Sequence, residues 1–153
     1  MRARWGAAVL ALTVVGLASC GDKSTAPKPE ELAGTWNATK IEYVNRANSS
    51  QKVDLVAAGG SATLTLDADQ TFRFILAASG ETPDTTSGTY EVKGDVGDLM
   101  VWKIPGGPGS LEWPFDFTFS GSSLTLSGGA NYDFDENGVG EPADWNMAFS
   151  RAP

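Results

Sequence analysis

The chain has 153 residues, no histidine, one cysteine and a formal net charge of −8 at neutral pH. The lack of histidine excludes Ser-His-Asp triads and histidine metal sites, and a single cysteine excludes an internal disulfide. The acidic balance argues against nucleic acid as a partner and against electrostatic docking on anionic lipid. A carboxylate pair is the catalytic group that remains, but Asp and Glu occur on turns and outward faces, so we expect no enzyme.

The first 20 residues have the order of an export signal. Arg2 and Arg4 supply positive charge, residues 5–15 are apolar, and residues 17–20 read Leu-Ala-Ser-Cys. These last four residues resemble the lipobox of bacterial lipoproteins, in which the chain is cut before the cysteine and the thiol receives a diacylglyceryl group. The resemblance predicts a signal peptide over residues 1–19 and lipidation, with acyl chains such as palmitate, at Cys20. The alternative is an ordinary secretory signal with a chance cysteine.

Residues 20–31 comprise the lipidated Cys20 and a stretch with two prolines, small residues and charge, which predicts a flexible tether. Loss of residues 1–19 removes two basic residues and leaves nine against 19 acidic ones, so membrane attachment must come from the acyl chains on Cys20. Gly21 stands where lipoproteins kept in the inner membrane carry aspartate. We therefore expect the outer membrane, with the domain facing the periplasm or the cell surface, although Asp22 lies one place later.

Residues 32–153 predict one all-β domain, because short runs of alternating apolar and polar residues are separated by turn residues. Eight antiparallel strands in a meander most simply close into a barrel, which removes the exposed edges; a two-sheet β-sandwich is the alternative. We also expect a short helical turn near residues 53–58 and a bulge at Pro114. The predicted strands are residues 33–44, 61–67, 71–78, 87–93, 98–104, 111–120, 123–128 and 144–151.

The two ends of this domain carry a recognisable pair of features. Gly34 and Trp36 open the first strand as Gly-x-Trp, and Arg151 follows the last strand. This arrangement resembles the lipocalins and bacterial lipocalin-like lipoproteins, as do residues 87–92 and 121–126. The resemblance implies a lipocalin-like barrel whose bottom is closed by Gly34, Trp36 and Arg151, with the guanidinium stacked on the indole. It also implies a small apolar or amphiphilic ligand, but the ligands of the family vary too widely to name one.

The predicted inward face carries many aromatic side chains, which fits either a packed core or a small apolar pocket near the open end. With a pocket, we expect Trp102, Trp113 and the loop at residues 105–109 to lie near its rim. With a filled interior, the barrel would act through its surface, as an interaction or inhibitor module for another envelope protein. The candidate ligand-binding residues are Phe72, Phe74, Tyr90, Trp102, Trp113, Phe115 and Phe117.

An acidic segment precedes the last predicted strand and has the spacing of a calcium loop. Alternate oxygen-bearing residues converge on one cation, and glycine at the sixth position, Gly138, permits the tight turn. The flanks are strands rather than EF-hand helices, Asp144 is short for a bidentate ligand, and Pro142 stiffens the exit. The alternative is a metal-free hairpin loop that turns at Asn137 and Gly138. We expect no other cofactor, and the predicted ligands of a structural Ca²⁺ are Asp133, Asp135, Asn137, the Val139 carbonyl, Glu141 and Asp144.

Overall fold

The computed structural model describes residues 26–94, 98–106 and 108–153. The predicted signal peptide, Cys20 and the first part of the predicted tether lie outside these residues. The last part of that tether forms a short helix, α1 (Pro29–Leu32), which leads into the first strand. In the described part of the chain, no helix is long and apolar enough to cross a membrane.

The strands form one antiparallel sheet that closes on itself. Eight of them make a barrel in the order β1-β3-β4-β5-β6-β7-β8-β9, with β9 pairing back onto β1. The predicted eight-stranded barrel is therefore confirmed, and the β-sandwich alternative is wrong. The bounds are β1 (Gly34–Asn45), β2 (Lys52–Asp54), β3 (Ser61–Leu66), β4 (Thr71–Ala77), β5 (Asp84–Lys93), β6 (Leu99–Gly106), β7 (Gly109–Phe119), β8 (Ser123–Tyr132) and β9 (Glu141–Arg151).

The short strand β2 was not predicted. It pairs only with the second half of β1, outside the barrel order, in the register Glu42↔Asp54 to Val44↔Lys52. The helical turn predicted near residues 53–58 is wrong at its start, because that part is strand and the turn occupies residues 55–59. The side chain of Asp54 accepts hydrogen bonds from the backbone N–H groups of Val56 and Ala57, which favours the turn directly after the strand.

A bulge in β1 decides which of its side chains point inward. The register with β9 shifts between Ala38 and Lys40, so Thr39 is an extra residue in the strand. Because strand side chains alternate with period two, one extra residue exchanges the inner and outer faces. Trp36 is buried before the bulge, and Tyr43, at a position of opposite parity, is buried after it.

The barrel wall opens on both sides of the β6–β7 hairpin. The ladder between β7 and β8 ends at Phe115↔Gly128, and the ladder between β5 and β6 ends at Lys103. In the upper part of the hairpin, the described residues 104–106 and 109–111 therefore pair only with one another. The prediction of a bulge at Pro114 is wrong, because Pro114 pairs in register with Val101 of β6. The ladder between β7 and β8 ends beside Pro114, which has no N–H to donate.

The interior below the open end is a packed aromatic and aliphatic core. Trp102 lies at its centre, fully buried, with its ring centroid 4.5 Å from that of Phe72 and 4.9 Å from that of Phe115. The predicted rim position of Trp102 is wrong, because mid-strand pairing with Tyr90 and Trp113 places it over the middle of the barrel. This core and the closing β1–β9 ladder lie within residues 32–151.

The two ends of the barrel differ. At the closed end, α1 and the β7–β8 turn cover the core beneath Trp36. The open end carries the tip of the β6–β7 hairpin and the links at residues 46–60, 78–83 and 133–140.

Candidate ligand site at the open end of the barrel

A cavity of about 520 Å³ lies inside the open end, above the packed core. Its floor and walls come from side chains on the inner faces of β1, β4, β5, β7, β8 and β9, and its rim from the strand ends and Arg46. The interior is therefore neither completely filled nor empty: aromatic side chains fill the lower part, and a pocket remains above them. The inner walls are formed mainly by Tyr43, Phe74, Leu76, Thr86, Trp113 and Trp145.

Trp145 is the centre of the cavity's aromatic wall. Its ring stacks on Tyr43, with the planes 10° apart and the centroids separated by 5.6 Å. Phe74, Trp113 and Phe115 approach it edge-on, with centroids between 5.8 and 6.1 Å away. The side chain is 6% exposed, and no protein atom of the described residues accepts a hydrogen bond from its Nε1. A buried donor without an acceptor is costly, so this indole N–H is an unusual feature of the structure.

Tyr43 lies between the cavity and the ring of Tyr132 at the open end of the barrel. Burial, followed by the nearby Tyr132 hydroxyl, raises the pKa of Tyr43 to about 12. The two rings stack with their centroids 4.6 Å apart, so Tyr43 is held between Tyr132 and Trp145. At neutral pH the cavity therefore presents a neutral phenol rather than a phenolate.

The charges near the cavity are confined to its rim. Arg46 Nε lies 2.7 Å from Asp144 Oδ1, and both side chains are about half exposed. The backbone N–H of Arg46 donates to the Pro142 carbonyl, which holds the residue against the start of β9. Asp84, at the start of β5, is the second charged residue of the rim. Arg46 is thus held at the rim by one exposed ion pair, made through Nε, and by one backbone hydrogen bond.

Two further hollows adjoin the main cavity. One, of about 360 Å³, shares Tyr43, Leu76 and Asp84 with it. The other, a groove of about 590 Å³ on the outer face of β7–β9, shares Arg46 and Gly129. A Cβ at Gly129 would lie 3.1 Å from Arg46 Nη2, so glycine lets the arginine lie against β8. Arg46 thus stands at the gap where β7 and β8 separate, between the inner cavity and the outer groove.

The structure brings together only part of the predicted ligand-binding set. Phe74 and Trp113 line the cavity. Sequence reasoning missed Trp145, although it alternates with Met147 and Phe149 on the inner face of β9 and could have been found by extending that pattern. The members of the predicted set that lie in the packed core and do not line the cavity are Phe72, Tyr90, Trp102, Phe115 and Phe117.

The three residues predicted to close the barrel meet at the closed end. The guanidinium carbon of Arg151 lies 4.3 Å from the centroid of the Trp36 ring. Arg151 also donates hydrogen bonds to the carbonyls of Glu31, Ala33 and Gly121, and Trp36 Nε1 donates to the carbonyl of Leu32. Gly34 has a φ of +143°, and a Cβ there would lie 2.9 Å from Arg151 Nη1. The glycine therefore provides the space in which the guanidinium lies.

The acidic loop gathers three of the predicted calcium ligands. Carboxylate oxygens of Asp133, Asp135 and Glu141 lie within 4.8 Å of one another. Backbone N–H groups of the same loop already donate to these oxygens, at 2.7 Å from Gly138 to Asp133 and 2.9 Å from Phe134 to Glu141.

The other predicted ligands have different partners. Asp144 is ion-paired with Arg46 rather than joined to the carboxylate cluster. The side-chain oxygen of Asn137 accepts from the N–H of Val139, at 2.8 Å. The spacing of a calcium loop is thus present in the sequence, but the loop forms a hydrogen-bonded turn that brings three carboxylates together.

The comparison with known proteins agrees with this architecture. The family model of the lipocalin-like domain matches residues 32–126, which is 95 of the 153 residues. No curated protein matches the chain. The matched segment runs from the end of α1 into β8, and the strand pairing supplies the rest of the barrel through β9. On the family match and on its closed eight-stranded barrel, the chain belongs to the lipocalin-like domain family.

Proposed function

We propose that this protein is a lipid-anchored binding protein of the cell envelope, which holds a small apolar or amphiphilic molecule in the cavity at the open end. The observation that carries the proposal is the aromatic-lined cavity of about 520 Å³ above a packed core. This volume falls within the range of small-molecule pockets, about 300–1,000 Å³. Its lining combines aromatic side chains with polar residues such as Thr86 and Asn131, which suits an amphiphilic molecule. Membership in the lipocalin-like family supports the same general role.

The proposal assigns no catalytic step to the protein. The chain contains no histidine, and its one cysteine is the predicted lipidation site. The titratable side chains that line the cavity are Tyr43, Arg46 and Asp84, and the last two lie at the rim. They offer no nucleophile with an adjacent base, which is the arrangement that covalent catalysis requires.

The position of α1 indicates which end of the barrel would face the membrane. Helix α1 lies at the closed end, beneath Trp36, so a tether running back to Cys20 would leave from that end. Nine residues, 20–28, reach about 30 Å when fully extended. An anchored barrel would therefore hold its cavity mouth on the side opposite the tether, facing away from the membrane surface.

The cavity is tested by filling it. We expect a native mass spectrum of residues 21–153 to show an adduct of a few hundred daltons. Ala130 lies on the cavity wall, and Ala130→Phe should remove the adduct. Ala148 is on the outer face of β9, so Ala148→Phe is the matched control and should keep it. A bare wild-type protein, from cells that supply candidate lipids, would contradict the binding role.

The anchor is tested separately, with the full-length chain in a bacterial host. Radiolabelled palmitate should be incorporated into the wild type, and the protein should sediment with the outer membrane. Cys20→Ser should abolish the labelling, whereas Ser24→Ala, in the tether, should retain it. Labelling that survives Cys20→Ser would contradict lipidation at this cysteine, and sedimentation with the inner membrane would contradict the proposed address.

Protein binding is the second candidate function, and a separate observation favours it. Leu111 and Val139 are large apolar residues that are 53% and 68% exposed, and both lie at the open end. Exposed apolar residues at one end of a small protein are suited to contact with another protein. Capture of an envelope protein that is lost in a Leu111→Ser, Val139→Ser variant, with ligand binding intact, would support this role.

We also propose a weak structural Ca²⁺ site in the acidic loop. The three carboxylates that the loop gathers supply oxygen ligands, but six or more oxygens are needed, so water and backbone carbonyls would have to complete the shell. Backbone N–H groups of the loop already donate to these carboxylates, so a cation gains less by binding them. This favours weak binding, with a dissociation constant on the order of 10⁻⁴–10⁻³ M.

A further inference from the structure

We propose that Tyr43 is a specificity-determining residue, whose ring divides the open end of the barrel and confines the apolar part of the ligand to the main cavity. This inference rests on the proposed binding role of the cavity and adds which residue limits the size of the molecule bound there. The two spaces that the ring separates are the main cavity, of about 520 Å³, and the adjoining side hollow, of about 360 Å³.

The residues that line both spaces form the wall between them. These are Tyr43, Leu76 and Asp84. Tyr43 points inward from β1 and Leu76 from β4, whereas Asp84 pairs with Leu76 at the start of β5 and lies at the rim. Tyr43 has the largest side chain of the three and is only 8% exposed. Its ring therefore makes up most of this wall.

The ring of Tyr43 is held on both faces. Tyr132, which lines the side hollow, stacks on it with the centroids 4.6 Å apart. Trp145, which lines the main cavity, stacks on it with the centroids 5.6 Å apart and the planes 10° from parallel. Stacking on two sides favours one orientation of the ring, because rotation would break both contacts. Tyr43 is therefore a fixed partition in the ligand-free protein.

Truncation of Tyr43 would join the two spaces. Tyr43→Ala leaves a slot, one aromatic ring thick, between Tyr132 and Trp145. An alkyl chain fits such a slot, because its carbon atoms meet neighbouring carbons at about the same distance as ring carbons do, 3.5–4.0 Å. The slot leads to Leu55 and Ala78, apolar residues that line the side hollow and not the main cavity. A tail too long for the main cavity would therefore pass between the two rings.

The test uses three neutral probes that differ only in tail length: octanoyl, dodecanoyl and hexadecanoyl glycerol. Their affinities are measured with the full chain carrying Cys20→Ser, which keeps it free of attached lipid. Methyl signals of ¹³C-labelled alanine report where the tail lies, because Ala130 lines the main cavity and Ala78 the side hollow. In the wild-type background, we expect all three probes to shift the Ala130 signal and none to shift that of Ala78.

Tyr43→Ala should extend the range of tails that bind. Each methylene that enters an apolar space strengthens binding about fourfold. We therefore expect the ratio of hexadecanoyl to octanoyl affinity to be at least tenfold larger in Tyr43→Ala than in wild type, and the longer probes to shift the Ala78 signal as well.

Two further variants control for changes other than loss of the partition. Tyr43→Phe is the matched control, because it keeps the ring, and it should leave both the affinity ratio and the Ala78 signal as in wild type. Leu76→Ala opens the wall from β4 and leaves both stacked contacts of Tyr43 in place. It should raise the affinity ratio at least threefold, and it decides the question if the melting temperature shows that Tyr43→Ala is unfolded.

The outcomes separate this inference from the binding role. If no probe binds the wild-type barrel, the binding role itself is contradicted. If the probes bind and the hexadecanoyl tail already shifts the Ala78 signal in wild type, Tyr43 does not confine the ligand. An affinity ratio that stays at the wild-type value in both Tyr43→Ala and Leu76→Ala, or that rises in Tyr43→Phe, would also overturn the inference.

Discussion

The closure at the bottom of the barrel allows a quantitative prediction. Arg151→Ala removes a guanidinium that stacks on Trp36 at 4.3 Å and donates to three backbone carbonyls. The cation–π contact contributes about 0.5–2 kcal/mol. Each hydrogen bond contributes at the low end of about 0.5–1.5 kcal/mol, since the freed carbonyls lie near the surface and regain water. We expect the free energy of unfolding to fall by about 2–3 kcal/mol.

The assay is urea unfolding of residues 21–153, followed by tryptophan fluorescence. For a domain of this size, the expected loss lowers the midpoint by about 1–2 M urea. Arg151→Lys should give an intermediate loss, because a single ammonium keeps the charge but cannot reach three carbonyls and stack at once. Arg73→Ala, on the exposed face of β4, is the matched control and should change stability by less than about 0.5 kcal/mol. A loss below that value for Arg151→Ala would refute the reasoning.

Three further predictions concern the closure, the buried tyrosines and the acidic loop. Gly34→Ala should lower stability by about 1–3 kcal/mol in the same urea assay, because φ is +143° and the new Cβ would displace the guanidinium; a neutral result would contradict this close approach. Burial raises the pKa of Tyr43 and of Tyr90 from 10.0 to about 12. The free energy of unfolding should therefore be unaffected by these groups below pH 10 and should fall as the pH rises toward 12. In an ultraviolet difference titration, Tyr43→Phe and Tyr90→Phe should each lack one of the high-pH steps of the wild type. Ionisation of these tyrosines near pH 10 in the folded protein would disprove the burial effect. Calorimetric titration should give a Ca²⁺ affinity on the order of 10⁻⁴–10⁻³ M that is lost in Asp133→Asn and kept in Asp144→Asn, since the second carboxylate lies in an ion pair; no saturable heat with wild type would exclude the site.

Much of the barrel could be predicted because alternation is a local signal. Three runs alternate apolar and polar residues: one ends at Leu66, one begins at Phe72 and one passes through Phe117. Each of these runs is a strand of the barrel. The predicted strands were too short at the open end, where β5, β8 and β9 extend by several residues. Those extensions contain glycine, proline and polar residues, whose β-propensity is low and whose pairing depends on a neighbouring strand.

The lining of the cavity was predicted less well, and for a different reason. Of the candidate ligand-binding residues, Phe74 and Trp113 line the cavity, whereas Trp102 does not. All three are aromatic residues in alternating runs, so the pattern cannot distinguish them. The height of a side chain along the barrel axis depends on strand register, which is set by partners far away in the sequence.

The sequence by itself determined the eight barrel strands and the aromatic content of the interior, because these follow from period-two alternation. The three residues of the closed end were implied by the resemblance to the lipocalins and not by alternation. Only the tertiary structure decided where the interior stays open. The extra residue Thr39 turns Tyr43 inward, and the ladder that ends at Gly128 leaves a gap beside the β6–β7 hairpin. Both are consequences of pairing between distant strands, and together they place an unpartnered indole, that of Trp145, in the wall of a cavity.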